Sequence, residues 1–369
     1  MKNIKRLIAV VITAVMALSF TACHKKNEIA VSAGDVEFTS AYYMCALINA
    51  DAEAKSKVQE SLTEEESSAD EIDYYSKEID GKKYEEWVKD QAIASLKEIA
   101  AYKLLCKENE VELSDEMATN AEQYASYYWS SYGYSYYYEP NGVSEETYTK
   151  FMKDSYYSEA YFNHLYDEGG EKAISAEDVK NEIHSQFVIA DILEASYATD
   201  ATDATDEDKE ALKTKLDGYV TALKDGSKTF KDVYNDYNEI TEDESNNTDT
   251  DTDSETSEPK DSYAQVLGGE DTVYASDYYD KAKEMETGAI ELIEMDDNAG
   301  YVLIVKQDIT ADDYYLEALD SSGRHLIADE EFEKLIDDYE ATFELDVSKY
   351  AINRFKVKKI KEPDYSNMY

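Results

Sequence analysis

Histidine and cysteine are scarce: four of one and three of the other in 369 residues. No Cys-x-x-Cys pair and no histidine cluster occurs, so no metal-site spacing is present and no cofactor is expected. Basic residues are also in deficit, with 36 Lys and Arg against 83 Asp and Glu and a formal net charge of −47. A field of that sign argues against nucleic acid and against adhesion to an anionic membrane surface. It draws in basic polypeptides and cations, and it keeps the chain soluble. Phenylalanine is rare as well, 9 residues against 34 tyrosines, so tyrosine takes over much of the work that Leu and Phe usually do.

The apolar run from Leu7 to Phe20 is too short and wrongly flanked for a membrane-spanning helix. Preceded by Lys2, Lys5 and Arg6, it reads as a secretory signal over residues 1–22. Phe20-Thr21-Ala22-Cys23 resembles the bacterial lipobox, which implies acylation of Cys23 and a lipidated tether over residues 23–29. Acyl chains contribute about 0.8 kcal/mol per buried methylene, so the expected protein is anchored rather than spanning, on the outer face of the cell membrane. Export permits a bridge between Cys45 and Cys106. Both also lie in apolar helical patterns, where buried free thiols are common.

Residues 30–185 read as a helical domain. Ala30 to Phe38 gives a short strand with a Gly turn, leading through Thr39 into a helix. Glu64 to Gly81 is acidic and Ser-rich, an expected exposed loop. Lys83 to Lys107 is the strongest helix, with Ile93, Leu96, Ala100 and Leu104 on one stripe. Val143-Ser144-Glu145-Glu146 opens another, with Tyr148, Met152, Tyr156 and Ala160 on one face. Ser175 is the expected N-cap of a helix over Ala176 to Ser185, with Asp178 closing a capping box. Between these lies Gln123 to Pro140, QYASYYWSSYGYSYYYEP. As a cluster it is the best candidate contact surface, because tyrosine offers apolar area at low rotamer entropy with a polar tip. Any single tyrosine in it can equally be a substitute for Leu or Phe.

Residues 186–308 change character. Phe187 to Tyr197 and Gly300 to Lys306 alternate and are rich in β-branched and aromatic residues, so both read as strands. Between them come a helix from about Asp208 to Asp225, a shorter one opening at Thr229, the Leu267-Gly268 pair, and an aromatic-bearing segment from Tyr274 to Glu284 before Gly288. Low-complexity acidic inserts at 198–208 and 241–261 cannot bury enough apolar surface to offset their ordering entropy. From Asp312 to Tyr339 the pattern is helical, with Leu326, Phe332, Leu335 and Tyr339 apolar, and a possible strand and tail follow within 309–369.

The order of these features resembles a parvulin-type peptidyl-prolyl isomerase domain, carried by the V-x-A-x-I-L strand, the Leu-Gly pair, Tyr278 ahead of Gly288, and the closing Gly-Tyr-x-x-I-x-K strand. With the helical domain before it, the whole is similar to PrsA- and SurA-like foldases. The resemblance implies an α+β fold: a discontinuous helical chaperone domain, completed by the C-terminal segment, plus a small antiparallel sheet flanked by helices. Isomerisation needs only a pocket that grips the proline ring and twists the amide out of resonance. In that family two inward histidines serve the pocket, at the positions of Asp191 and Val302 here, and the ring-binding Met and Phe fall on Tyr274 and Tyr278. Replacement of both histidines implies weak or lost isomerase activity in a chaperone for unfolded or newly exported polypeptides. An active isomerase with an altered pocket and a surface-binding lipoprotein remain alternatives, and foldases of this kind can form homodimers.

Overall fold

The computed structural model describes residues 28–63, 72–197, 205–239, 263–269, 272–295, 300–311 and 313–362. The signal, Cys23 and most of both acidic inserts lie outside the described residues. The fold is mixed α+β, mostly helical with small antiparallel sheets. It divides into two compact units, residues 1–173 with 330–369, and residues 174–329.

The first unit opens with a hairpin of β1 (Ile29–Ala33) and β2 (Val36–Thr39). Gly34, at φ 59°, supplies the left-handed turn between them. Helix α1 (Ser40–Glu60) follows at once, its first turn capped by the Thr39 hydroxyl, which accepts from the Tyr42 amide. Next come the two-residue strands β3 (Glu78–Ile79) and β4 (Lys82–Lys83) and the helices α2 (Tyr84–Glu108), α3 (Asp115–Ser130), α4 (Ser135–Tyr138) and α5 (Glu145–Tyr166). Part of the expected acidic loop is therefore ordered: over 72–81 it forms a short 3-10 turn and half of a β-hairpin, with Ile79 buried.

Helix α2 is central. Its buried residues, Trp87, Val88, Ala92, Leu96, Ile99, Ala100 and Leu105 among them, cover more than one stripe, and Ile93 and Leu104 are only partly covered. A helix with neighbours on several sides buries residues beyond the single face that periodicity shows. On α5 the buried positions include Tyr148, Phe151, Asp154, Ala160, Phe162 and Leu165, while Met152 and Tyr156 are only partly covered. Cys45 and Cys106 are buried free thiols.

In the second unit, α6 (Ala176–Gln186) runs into β5 (Phe187–Ser196), followed by α7 (Asp206–Lys224), α8 (Phe230–Tyr237), β6 (Ala264–Gly268), α9 (Tyr279–Glu284), β7 (Ile290–Glu294) and β8 (Gly300–Lys306). Ser175 caps α6, but the Asp178 carboxylate takes the Ser175 hydroxyl rather than the backbone N–H, so the capping box is incomplete. Full capping boxes occur instead at Thr205/Asp208 and Thr229/Asp232, and the first of them starts α7 inside the expected insert. The aromatic segment is helical only from Tyr279; Tyr274 sits in a turn, its carbonyl accepting the Gly268 amide at 2.7 Å.

The strands order β6-β5-β8-β7, every pair antiparallel. Close approach fixes two glycines. A Cβ on Gly268 would lie 2.1 Å from the Thr272 hydroxyl, and one on Gly300 would lie 2.1 Å from the Ala195 carbonyl.

The expected helix 312–339 is two helices, α10 (Asp313–Ala318) and α11 (Asp320–Glu340). Among its described side chains the buried positions are Tyr315, Leu319, Gly323, Ala328, Phe332 and Ile336, whereas Leu326 is 39% exposed. Within the first unit, Phe332 packs edge-on to Phe162 at 5.2 Å and stacks on Tyr102 at 6.0 Å. The chain closes with β9 (Asp346–Val347), which pairs with β1, and α12 (Lys349–Asn353).

Candidate functional site

Side chains alternate along a strand, and the packing clusters agree with that alternation across the four-stranded sheet. Val188, Ala190 and Ile192 of β5, Leu267 of β6, and Val302 and Ile304 of β8 form one face, covered by Tyr279, Ala282 and Met285. Leu193 and Ala195 of β5 and Leu303 of β8 face the other way, against Leu216 and Tyr219 of α7 and Phe230 and Val233 of α8. Asp191 alternates with the second set, and its backbone pairs with Val305, also of that set.

The structure therefore puts the four residues expected from the family resemblance in three different surroundings. Val302 is fully buried on the α9 face, with Tyr278 partly buried beside the same cluster. Asp191 is on the opposite face. Tyr274 lies with neither, edge-on to Phe187 at 5.8 Å in a cluster with Val179, Ile183 and Leu319. Asp191 and Val302 cannot act on one substrate atom from opposite sides of a sheet. Asp191 accepts a hydrogen bond from the Gln307 side-chain amide. Burial pushes its carboxyl above the usual carboxylate range, and the Gln307 bond partly opposes that rise. Gln307, immediately after the closing strand, was not legible as a partner from spacing alone.

The tyrosine-rich stretch is brought together. Ser114 caps α3, accepting from the Met117 amide at 3.1 Å, and Asp115 and Glu116 complement the helix dipole. The chain turns at Gly133, φ 72°, and folds back so that Tyr134 stacks on Tyr128 at 5.5 Å. Beneath lies a buried root: Trp129, Tyr138 and Tyr148, with Tyr138 and Tyr148 ring centroids 4.9 Å apart and Trp129 5.7 Å from Tyr148. Burial drives the Tyr138 and Tyr148 hydroxyls well above the ordinary tyrosine range, so both stay neutral. Tyr138 donates to Asn49 Oδ1 at 2.8 Å.

Above the root, Tyr124, Tyr127, Tyr132 and Tyr136 are each about half exposed, at 51, 52, 59 and 46%. Tyr127 meets Tyr132 edge-on at 5.3 Å, and Tyr124 stacks on Tyr128 at 6.4 Å. Aromatic pairs of this geometry contribute about 0.5–1.5 kcal/mol each beyond area burial, so the exposed rings are held by the rings below. The surface is also tied to the end of the chain. Asn141 donates to the Lys361 carbonyl at 2.9 Å and accepts from its amide at 2.8 Å. Sequence reading found the cluster and placed Tyr148 on an apolar helix face, but spacing alone did not show that Tyr148 packs beneath it against Trp129 and Tyr138.

A second feature of this unit is electrostatic. Asp154, buried, accepts from Tyr42 at 3.0 Å and from Lys150 at 2.9 Å, and Lys103 closes the third side. Desolvation holds the Lys103 ammonium below its ordinary range despite Asp154. A cleft of about 490 Å³ elsewhere in the unit has small residues, Ala46, Ala50 and Ala94, on its walls and Glu53, Glu98, Glu333 and Asp337 around them. Among the described residues, no group of three or more His, Cys, Asp or Glu could hold a metal ion, and no helix is long and apolar enough to cross a membrane.

No family model matches the sequence, and no curated protein does. Among solved structures, the chain is similar over most of its length to PrsA foldase proteins. The foldase PrsA from Lactococcus lactis aligns at 11% identity and a TM-score of 0.38, covering 88% of this chain and 96% of that one. PrsA from Bacillus subtilis aligns at 13% identity and a TM-score of 0.29, covering 69% and 83%. At these scores no functional conclusion rests on either likeness.

Proposed function

We propose that this chain is a foldase of the extracytoplasmic, membrane-anchored kind, acting as a chaperone for unfolded or newly exported polypeptides, with weak or lost X-Pro isomerase activity. The observation that carries the reading is the tyrosine surface: exposed rings with polar tips, held by a buried aromatic root, in a stretch without charged residues from 123 to 138. Such a surface offers apolar contact without ordering cost and releases its occupant readily, which a chaperone requires. The division of Asp191 and Val302 between two faces supports the low isomerase activity. The lipobox-like run ending at Cys23 supports a lipid anchor on the outer face of the membrane. Homodimer formation is part of the same proposal.

The test is suppression of aggregation of a denatured client by the full chain, run beside a proline-limited refolding assay on the same client. Protection without acceleration of the slow phase is expected. Absence of protection at molar excess sinks the chaperone reading. Acceleration would establish the isomerase reading instead. Labelling with a radioactive fatty acid, lost on Cys23→Ser, tests the anchor.

A further inference from the structure

The tyrosine surface also has a charge setting, and it points to a particular class of occupant. No Asp, Glu, Lys or Arg occurs from 123 to 138, and the first charged residues on either side, Glu122 and Glu139, are both acidic and exposed. Lys153 engages Glu122 at 2.7 Å, but among the described residues no cation pairs with Glu139, nor with Glu145 and Glu146 in the first turn of α5, the helix that carries Tyr148. The nearest cations on α5 are committed: Lys150 to Asp154 and Lys153 to Glu122. What the exposed rings offer is therefore the negative face of the phenol quadrupole, bordered by a lysine-paired carboxylate at Glu122 and an unpaired one at Glu139, on a chain of net charge −47.

Aromatic faces of this kind attract guanidinium and ammonium groups within about 6 Å of the ring centroid. The chain already uses that chemistry internally: Lys150 lies over Tyr42 and Lys103 over Tyr157, both at 4.8 Å. A carboxylate on the occupant would instead meet unneutralised like charge at the Glu139 border. We infer that the occupant of the tyrosine surface is an extended polypeptide segment bearing Arg or Lys among its apolar residues, with cations seated on the faces of Tyr124, Tyr127, Tyr132 and Tyr136. The inference rests on the chaperone reading and specifies the clients it selects.

The experiment uses three labelled, unstructured peptides identical except at alternate positions, which carry Arg, Gln or Glu, and fluorescence anisotropy with the full chain. The Arg peptide is expected to bind at least tenfold more tightly than the Glu peptide at moderate salt, with Gln between them. Replacing Tyr124, Tyr127, Tyr132 and Tyr136 together by Phe keeps that order, since the ring faces remain; replacing them by Leu removes most of the Arg advantage while the Gln peptide still binds. Equal binding of all three peptides overturns the inference and leaves the chaperone reading standing. An Arg preference that survives the Leu variant also overturns it, because the protein's overall field alone would then account for it. If none of the three binds and aggregation protection is absent too, the chaperone reading itself has failed. A mass doubling with concentration that the Leu variant abolishes would make a second copy the occupant, and the inference would fall.

Discussion

Introducing two imidazoles tests the separation of Asp191 from Val302 directly. The double substitution Asp191→His with Val302→His supplies the residue type that the parvulin resemblance implies for these two positions. Here the two side chains leave opposite faces of the sheet, one toward the α9 cluster and one toward α7 and α8. No rotamer brings them together, because β5 and β8 pair without a register shift from Ala190 to Ser196. The expected result is no gain in X-Pro isomerisation, in a tetrapeptide or in proline-limited refolding, over the parent chain or either single variant.

The stability cost falls mainly on Val302, which is fully buried against Tyr279, Ala282 and Met285. Overpacking there costs about 1–3 kcal/mol, and a buried imidazole nitrogen without a partner adds about 1–3 kcal/mol. At about 2–4 °C per kcal/mol for a unit of this size, Val302→His should lower the melting temperature by roughly 5–20 °C. Asp191→His should cost much less, since Gln307 remains to bond the ring. Thermal unfolding by circular dichroism gives the second quantity and the peptide assay the first. Isomerase activity in the double variant that neither single variant shows would refute the opposite-face geometry.

Three further outcomes follow from individual contacts. The Asp191 carboxyl titrates higher in the folded than in the unfolded chain, so the folded state binds that proton more tightly and the charged form destabilises the fold. That penalty is full above the folded pKa and vanishes below the unfolded value, so Asp191→Asn should stabilise the chain at neutral pH and lose its advantage as pH falls; a gain that grows toward acid contradicts the assignment. Asp154→Ala leaves Lys103 and the Tyr42 hydroxyl facing an empty buried position and should cost about 3–5 kcal/mol, against about 1 kcal/mol for Tyr42→Phe; equal losses in denaturant unfolding would show that the carboxylate is not the hub. Asn141→Ala frees the Lys361 backbone and should weaken client protection more than it weakens global stability, measured as hydrogen exchange rising first around Tyr137 and Tyr138.

Local chemistry was legible in the sequence where it is spelled by neighbours. Alternation in FVIADILEAS and GYVLIVK located the two central strands, and Ser175 and Thr229 marked helix starts to within a residue. Long-range partners were not. Period-2 alternation gives each strand two faces but does not say which face of β5 shares a side with which face of β8; only the pairing of Glu194 with Val302, rather than of Asp191 with Val302, settles it. A motif alignment places Asp191 and Val302 in one pocket because it records position along each strand and not the register between them. The same limit applied on α11, where apolar Leu326 proved exposed while Gly323, apolar by omission, is buried against Ile183 and Val179.

The tyrosine stretch shows the converse. Its composition pointed to a surface, and in the fold Tyr138, Tyr148 and Trp129 are buried while Tyr124, Tyr127, Tyr132 and Tyr136 are about half exposed. A stretch made only of exposed rings would lose rotamer freedom on every encounter, and one made only of buried rings would offer nothing to bind. With Tyr in both roles, one residue type anchors through its ring below and meets water through its ring and hydroxyl above. That economy explains how a chain with 34 tyrosines and 9 phenylalanines can build both a buried root and a half-exposed aromatic surface from one residue type.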